Sequence, residues 1–115
     1  MVDVLIIGAG PSGSMSAALL ASRGYEVLVL EKQKFPRFSI GESLLANSTQ
    51  MLEEAGMLEV VMAQGFQFKN GAAFVHNDRY SEYNFSQKFS EGLGFTFQVP
   101  RAHFDKVLAD EAERR

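Results

Sequence analysis

The chain has no cysteine, only two histidines, a formal net charge of just −3 over 115 residues, and no long apolar run. Without cysteine, disulfides and thiolate metal sites are excluded. His76 and His103 fall in different segments with no paired carboxylate at ligand spacing. No metal site is therefore expected, and both histidines are read as surface or packing residues. So small a negative charge gives no electrostatic basis for binding nucleic acid. No apolar stretch approaches the roughly 20 residues that a membrane span requires, and the first residues lack the charged and apolar regions of a signal peptide. A cytoplasmic protein is expected. Repeats and low-complexity tracts are also missing. A chain of this length holds one domain or part of one. Its end, Asp110-Glu111-Ala112-Glu113-Arg114-Arg115, lies inside a helical pattern with no glycine or proline stop, which predicts a piece of something longer.

What is present is concentrated in residues 2–31, VDVLIIGAGPSGSMSAALLASRGYEVLVLE. Val4, Leu5, Ile6 and Ile7 form a continuous apolar run, as expected of a central parallel strand buried on both faces. Gly8 permits a tight exit turn, Gly10 allows close approach of the backbone to a pyrophosphate, and Gly13 allows a helix to pack tightly on the strand. The start of that helix offers unpaired N–H groups to an anion. Pro11 presets φ for a helix entry, and Ser12 adds a hydroxyl donor or a cap. After Arg23-Gly24, a helix stop, Tyr25–Leu30 reads as a second strand. Glu31 then lies 18 residues beyond Gly13, near the roughly 20-residue spacing at which a carboxylate reaches ribose hydroxyls. Glu31 also argues against a 2′-phosphate, which it would repel. Lys32 joins the candidate cofactor residues; the alternative is a solvated charge at a strand end.

Beyond residue 31 the pattern changes. Residues 41–56, GESLLANSTQMLEEAG, carry Leu44, Leu45, Met51, Leu52 and Ala55 at helical spacing and predict an amphipathic helix closed by Gly56. A shorter helical piece is expected over 57–63. Strand-like segments follow at 66–75, 80–86 and 94–99, with His76-Asn77-Asp78-Arg79 turning the chain between the first two. Residues 101–115 place Phe104, Val107, Leu108 and Ala112 on one helical face, entered through Pro100. Tyr80, Tyr83, Phe85, Phe89, Phe95 and Phe97 are read as sheet packing, with an aromatic substrate pocket as the alternative. Strands and helices do not keep alternating as in a simple nicotinamide domain. This departure after Glu31 favours a flavoprotein plan, in which the dinucleotide domain is interrupted by pieces of a substrate domain.

The segment FPRFSIGESLL, residues 35–45, resembles the flavin-dependent halogenases and their relatives among FAD-dependent monooxygenases and geranylgeranyl-reductase-like oxidoreductases. GAGPSG, Glu31-Lys32, GFQFKNGAAF and QVPRAHFD appear in the order expected of such an enzyme's N-terminal part. The resemblance implies an α/β fold: a Rossmann-like FAD-binding βαβ unit with a β-rich insertion, the N-terminal fragment of a two-domain flavoprotein. Residues 1–115 would be the incomplete FAD-binding domain, with about 64–99 contributing strands toward the substrate domain. FAD is the implied cofactor, with Arg37 approaching its phosphate or flavin oxygens. Arg101, assisted by Gln98, is implied as a second cofactor cation; a solvated arginine and an exposed strand glutamine are the alternatives. Glu42 and Ser43 would sit near the isoalloxazine, or else cap the helix that follows.

Lys69 is the implied catalytic residue. Flavin halogenases carry a lysine that meets hypohalous acid and presents the halogen to the substrate, and the residues around Lys69 are similar to the segment that bears it. Read without the resemblance, Asn70-Gly71 is a turn signal and Lys69 the solvated residue before it. The expected function is an FAD-dependent oxidoreductase, monooxygenase or halogenase, acting on a small organic substrate through reduced flavin and oxygen. A flavin reductase or NAD(P)H would supply electrons. A geranylgeranyl-reductase-like reductase and a non-catalytic nucleotide-binding module are the alternatives.

Overall fold

A computed structural model describes residues 1–86 and 93–115. The expected βαβ unit is formed by β1 (Val4–Ile7), α1 (Pro11–Ser22) and β2 (Val27–Leu30). β1 and β2 pair in parallel, with Val4 opposite Val27 and Ile7 opposite Leu30. Helix α1 is built from small residues, with Ser14, Ala17 and Ala18 buried. It ends at Arg23, after which Gly24 adopts a left-handed φ of +90°.

Burial of β1 on both faces is not observed. Ile6 faces α1, whereas Leu5, Ile7, Leu28 and Leu30 are 44–83% exposed. A continuous apolar run is written for a sheet covered twice, and the described residues supply a cover on one side.

The second half is assembled from α2 (Ala46–Glu54), α3 (Leu58–Met62), β3 (Gln67–Lys69), β4 (Gly71–His76), β5 (Arg79–Asn84), β6 (Thr96–Gln98) and α4 (Arg101–Arg114). Leu52, Met57, Val61, Phe97, Val99, Phe104 and Leu108 form the core together with Ala18 and Ala55. The four helices and β6 thus contribute to one core, in which α2 lies against β6 and α4 packs on α1 and α3.

Two expected elements are redrawn. The helix predicted from residue 41 begins at Ala46, because residues 42–44 are extended along β6. The Leu44 N–H donates to the Phe97 carbonyl (3.1 Å) and the Val99 N–H to that of Glu42 (2.7 Å), with Ser43 bridging Gln98. Backbone pairing to an open strand edge outcompetes the first turn of a helix, and Gly41, with φ +107°, makes the corner. The strand predicted over 66–75 is two strands in two sheets: β3 pairs antiparallel with β6, and β4 with β5. The chain crosses between them at Asn70, whose carbonyl accepts the Phe85 N–H (2.9 Å). The turn at 76–79 is as expected, with Asn77 and Asp78 both left-handed at φ 50° and 60°.

The aromatic residues divide by sheet. Phe97 lies in the core and Phe95 stacks on Phe68 at 5.3 Å, whereas Tyr80 and Tyr83 remain exposed on the β4–β5 hairpin. Phe89 lies outside the described residues.

Candidate cofactor site

The turn between β1 and α1 leaves an anion-binding helix end open. Gly8 takes φ +102° and donates its N–H to the Leu30 carbonyl (2.6 Å), tying the turn to the end of β2. Gly10 is the N-cap residue and Pro11 the first helical residue, and no side chain caps this terminus. Ser12 therefore contributes no cap, contrary to one of its two expected roles. The N–H groups of Ser12 and Gly13 belong to the first turn, which has no carbonyl partner within the helix. They meet the positive end of the helix dipole, the arrangement that binds phosphate. A Cβ on Gly13 would collide with the Gly8 carbonyl oxygen and approach Ile6 Cγ2 at 3.4 Å. Only glycine lets the helix start this close to the strand.

Glu31 closes the cradle from the end of β2. Its Oε1 accepts the Ala9 N–H at 3.0 Å and its Oε2 the Gln33 N–H at 2.9 Å. The Ala9 hydrogen bond foremost, then that of Gln33 and the charges of Arg37 and Lys32, hold its carboxyl below the usual value of 4.5. An ionised carboxylate beside the glycine turn is suited to accept ribose hydroxyls. Lys32 is exposed and acts on this carboxylate only through its charge.

Arg37 reaches the same place from the following loop. Its Nε is 3.8 Å from Glu31 Oε2, its guanidinium lies over the Phe35 ring at 4.9 Å, and its Nη2 would be 3.5 Å from a Cβ on Gly10. The guanidinium is thus beside the open α1 terminus. Its Nη1 donates to Asp105 Oδ2 at 2.9 Å.

Asp105 also receives Arg101. Arg101 Nε donates to Oδ1 at 2.7 Å and Nη2 to Oδ2 at 3.0 Å, while Nη1 donates to the Ile40 carbonyl at 2.7 Å. Bonding to Asp105 raises the Arg101 guanidinium further above its ordinary value. Sequence reasoning stopped at Arg101 and passed over Asp105. The available signal was an acid four residues after that arginine, between the core residues Phe104 and Leu108.

A second cluster forms on the sheet. Ser43, Gln67, Lys69, Thr96 and Gln98 are linked through β6 by the pairs Ser43–Gln98, Gln67–Gln98 and Lys69–Thr96. Lys69 Nζ donates to Ser43 Oγ at 2.5 Å and lies 5.4 Å from the centre of the Phe85 ring. Glu42 and Ser43 do not cap α2, whose N-cap is Leu45; they belong to the extended segment along β6. Gln98 is exposed on this strand. The Thr96 hydroxyl, fully buried, has no hydrogen-bond partner among the described residues.

The candidates therefore occupy two places. Gly8, Gly10, Pro11, Ser12, Gly13, Glu31 and Arg37 surround the β1–α1 turn, while Glu42, Ser43, Lys69 and Gln98 lie along β6. Arg101 connects the two through Asp105 and Ile40. Among the described residues no helix is long and apolar enough to cross a membrane, and no three metal-ligating side chains group together.

The geometry at the first turn fits a dinucleotide: an uncapped helix end, a glycine whose missing Cβ makes room, and an ionised carboxylate beside them. Solved structures share the fold. A flavoprotein/dehydrogenase from Cytophaga hutchinsonii is 57% identical, with a TM-score of 0.92 over 98% of this chain and 28% of its own. The myxobacterial chondrochloren halogenase, an FAD-dependent halogenase, is 35% identical, with a TM-score of 0.86 over 98% of this chain and 26% of its own. A tryptophan 2-halogenase from Chondromyces crocatus is 37% identical over 96% of this chain and 21% of its own length. The chain spans roughly a quarter of the length of these relatives, between 21% and 28%. The FAD binding domain family matches residues 1–115. Sequence match and cradle geometry agree, and the chain belongs to the FAD binding domain family.

Proposed function

We propose that this chain is the cofactor-holding part of a flavin-dependent halogenase or monooxygenase acting on a small organic substrate. The observation that carries the reading is the Glu31 carboxylate on the Ala9 N–H, beside an uncapped α1 whose Gly13 admits no side chain. The α1 terminus takes the diphosphate, Glu31 the ribose hydroxyls, and Arg37 neutralises phosphate charge from the loop after β2. FAD, when bound, supplies the electron-transfer and oxygen chemistry.

Lys69 is the residue proposed to act on the substrate side. Ser43 and the Phe85 ring hold its ammonium across the face of β6, where it can donate a hydrogen bond to an incoming oxidant and guide it. Glu42 and Gln98, on the same strand pair, are proposed to line the approach of the flavin ring. Residues 64–99 are proposed to build the wall toward the substrate domain, and a flavin reductase or NAD(P)H to deliver electrons.

A reductase is the second reading, favoured by the 57% identity to a protein described as a flavoprotein/dehydrogenase. The full-length protein separates the two. Visible absorption of bound flavin is expected on addition of FAD, and halide incorporation or oxygenation of aromatic test substrates under electron supply. Flavin binding with reduction of an unsaturated substrate, and neither of those products, would establish the reductase. Failure to take up FAD would overturn both.

A further inference from the structure

We propose that Asp105 is a positioning residue that aims Arg37 at the phosphate cradle and ties that cradle to the Ile40–Gly41 turn through Arg101. The proposal rests on the FAD-binding reading above and deepens it. The Asp105 side chain is fully buried, yet it sits on the core face of α4 between Phe104 and Leu108. A charge in such a position is tolerated only when its lone pairs are met. Here three donors meet them: a two-pronged fork from Arg101 at 2.7 and 3.0 Å, and a third bond from Arg37 at 2.9 Å.

Packing does not require a carboxylate. Buried ion pairs replaced by apolar groups of similar volume commonly leave stability unchanged or higher. What an apolar residue cannot do is fix two guanidinium groups from segments 64 residues apart, at positions 37 and 101. Each arginine also has a second anchor. Arg37 lies against Phe35 and near Glu31, and Arg101 donates to the Ile40 carbonyl. Charges of alternating sign thus run from Glu31 through Arg37 and Asp105 to Arg101, and end on the backbone that opens the Gly41-Glu42-Ser43 corner. With Nη1 committed to Asp105, Arg37 keeps Nη2 at Gly10 for phosphate oxygens. Without Asp105 the guanidinium is free to turn onto Glu31, blocking the carboxylate meant for ribose.

The test measures FAD affinity of the full-length protein by flavin fluorescence titration, with no turnover. Asp105→Asn retains shape but offers an amide to two cations. It is expected to weaken FAD binding about tenfold or more, the usual worth of a hydrogen bond to a charged group. Asp105→Glu keeps the charge but displaces it by a methylene, and is expected to lose severalfold; it carries the test if the asparagine variant does not fold. Both changes are repeated in an Arg37→Met background. Positioning through Arg37 predicts that the Asp105 effect largely disappears there, whereas a merely structural role would add in full. Wild-type affinity in both Asp105 variants, or full additivity with Arg37→Met, overturns the proposal. Absence of FAD binding by the wild type would instead overturn the cofactor reading itself.

Discussion

Gly13→Ala probes the cradle at its tightest point. The added Cβ would collide with the Gly8 carbonyl oxygen, and it would stand 3.1 Å from the Gly8 carbonyl carbon and 3.4 Å from Ile6 Cγ2. The carbonyl cannot easily retreat. The Gly8 N–H is held by Leu30 at 2.6 Å, and β1 is locked in register with β2 along its whole length. Helix α1 must lift instead, by about 1 Å, at the roughly 1–3 kcal/mol typical of overpacking. The lift carries the Ser12 and Gly13 N–H groups out of hydrogen-bond range of a diphosphate. Losing two bonds to a charged group, each worth about 1.5–3 kcal/mol, weakens FAD binding about a hundredfold or more.

Gly24→Ala is the control. Gly24 also has a left-handed φ, +90°, but a Cβ there meets nothing within 4 Å. It should cost about 1–2 kcal/mol of stability for the backbone alone, and leave FAD affinity unchanged. Denaturant unfolding and flavin fluorescence titration of both full-length variants supply the comparison. If Gly13→Ala binds FAD within threefold of wild type, helix–strand contact does not set the phosphate site and the argument fails.

Three further outcomes are expected. Glu31 has a folded value below 4.5, so its stabilising contribution is present above about pH 4.5 and lost as pH falls through the lower folded value. The stability gap between wild type and Glu31→Gln, from denaturant melts at several pH values, should therefore be constant near neutrality and close in acid; a gap independent of pH would contradict the assignment. Thr96→Val removes a buried hydroxyl without a partner among the described residues and should raise stability by about 1 kcal/mol, whereas a loss of that size would reveal a partner for the hydroxyl. Lys69→Ala should abolish halogen or oxygen transfer in a full-length enzyme that performs it while leaving FAD absorption intact; retained transfer removes Lys69 from the chemistry.

The parts of the site that could be read from sequence are those enforced by backbone sterics over short spans. Gly8 must turn with φ +102° and Gly13 must meet a carbonyl without a Cβ, so glycine at those positions leaves a trace in any sequence that folds this way. Glu31 is legible for the same reason, because two short strands and one helix fix the distance from the turn to the carboxylate. What could not be read depends on partners far along the chain. Residues 42–44 fall inside a helical pattern, yet their backbone goes to β6 and the residue after it, more than fifty residues later. No periodicity in a local window contains that competitor. The break at Asn70 likewise follows from two different strands, β6 and β5, claiming the two halves of one strand-like segment.

Asp105 is the sharpest instance. Its helix position is that of a core residue, and local pattern assigns it no chemistry beyond an acid four residues from Arg101. Its role depends on Arg37 arriving from the loop after β2, and on Arg101 turning back to the Ile40 carbonyl. The glycine fingerprint therefore specifies the backbone of the proposed diphosphate cradle, whereas the charge balance around it is composed by residues 31, 37, 101 and 105 only after the fold has closed. Substitutions in the fingerprint should accordingly act on affinity one at a time through sterics. Substitutions among the four charges should act on each other, because every member is oriented by its neighbour.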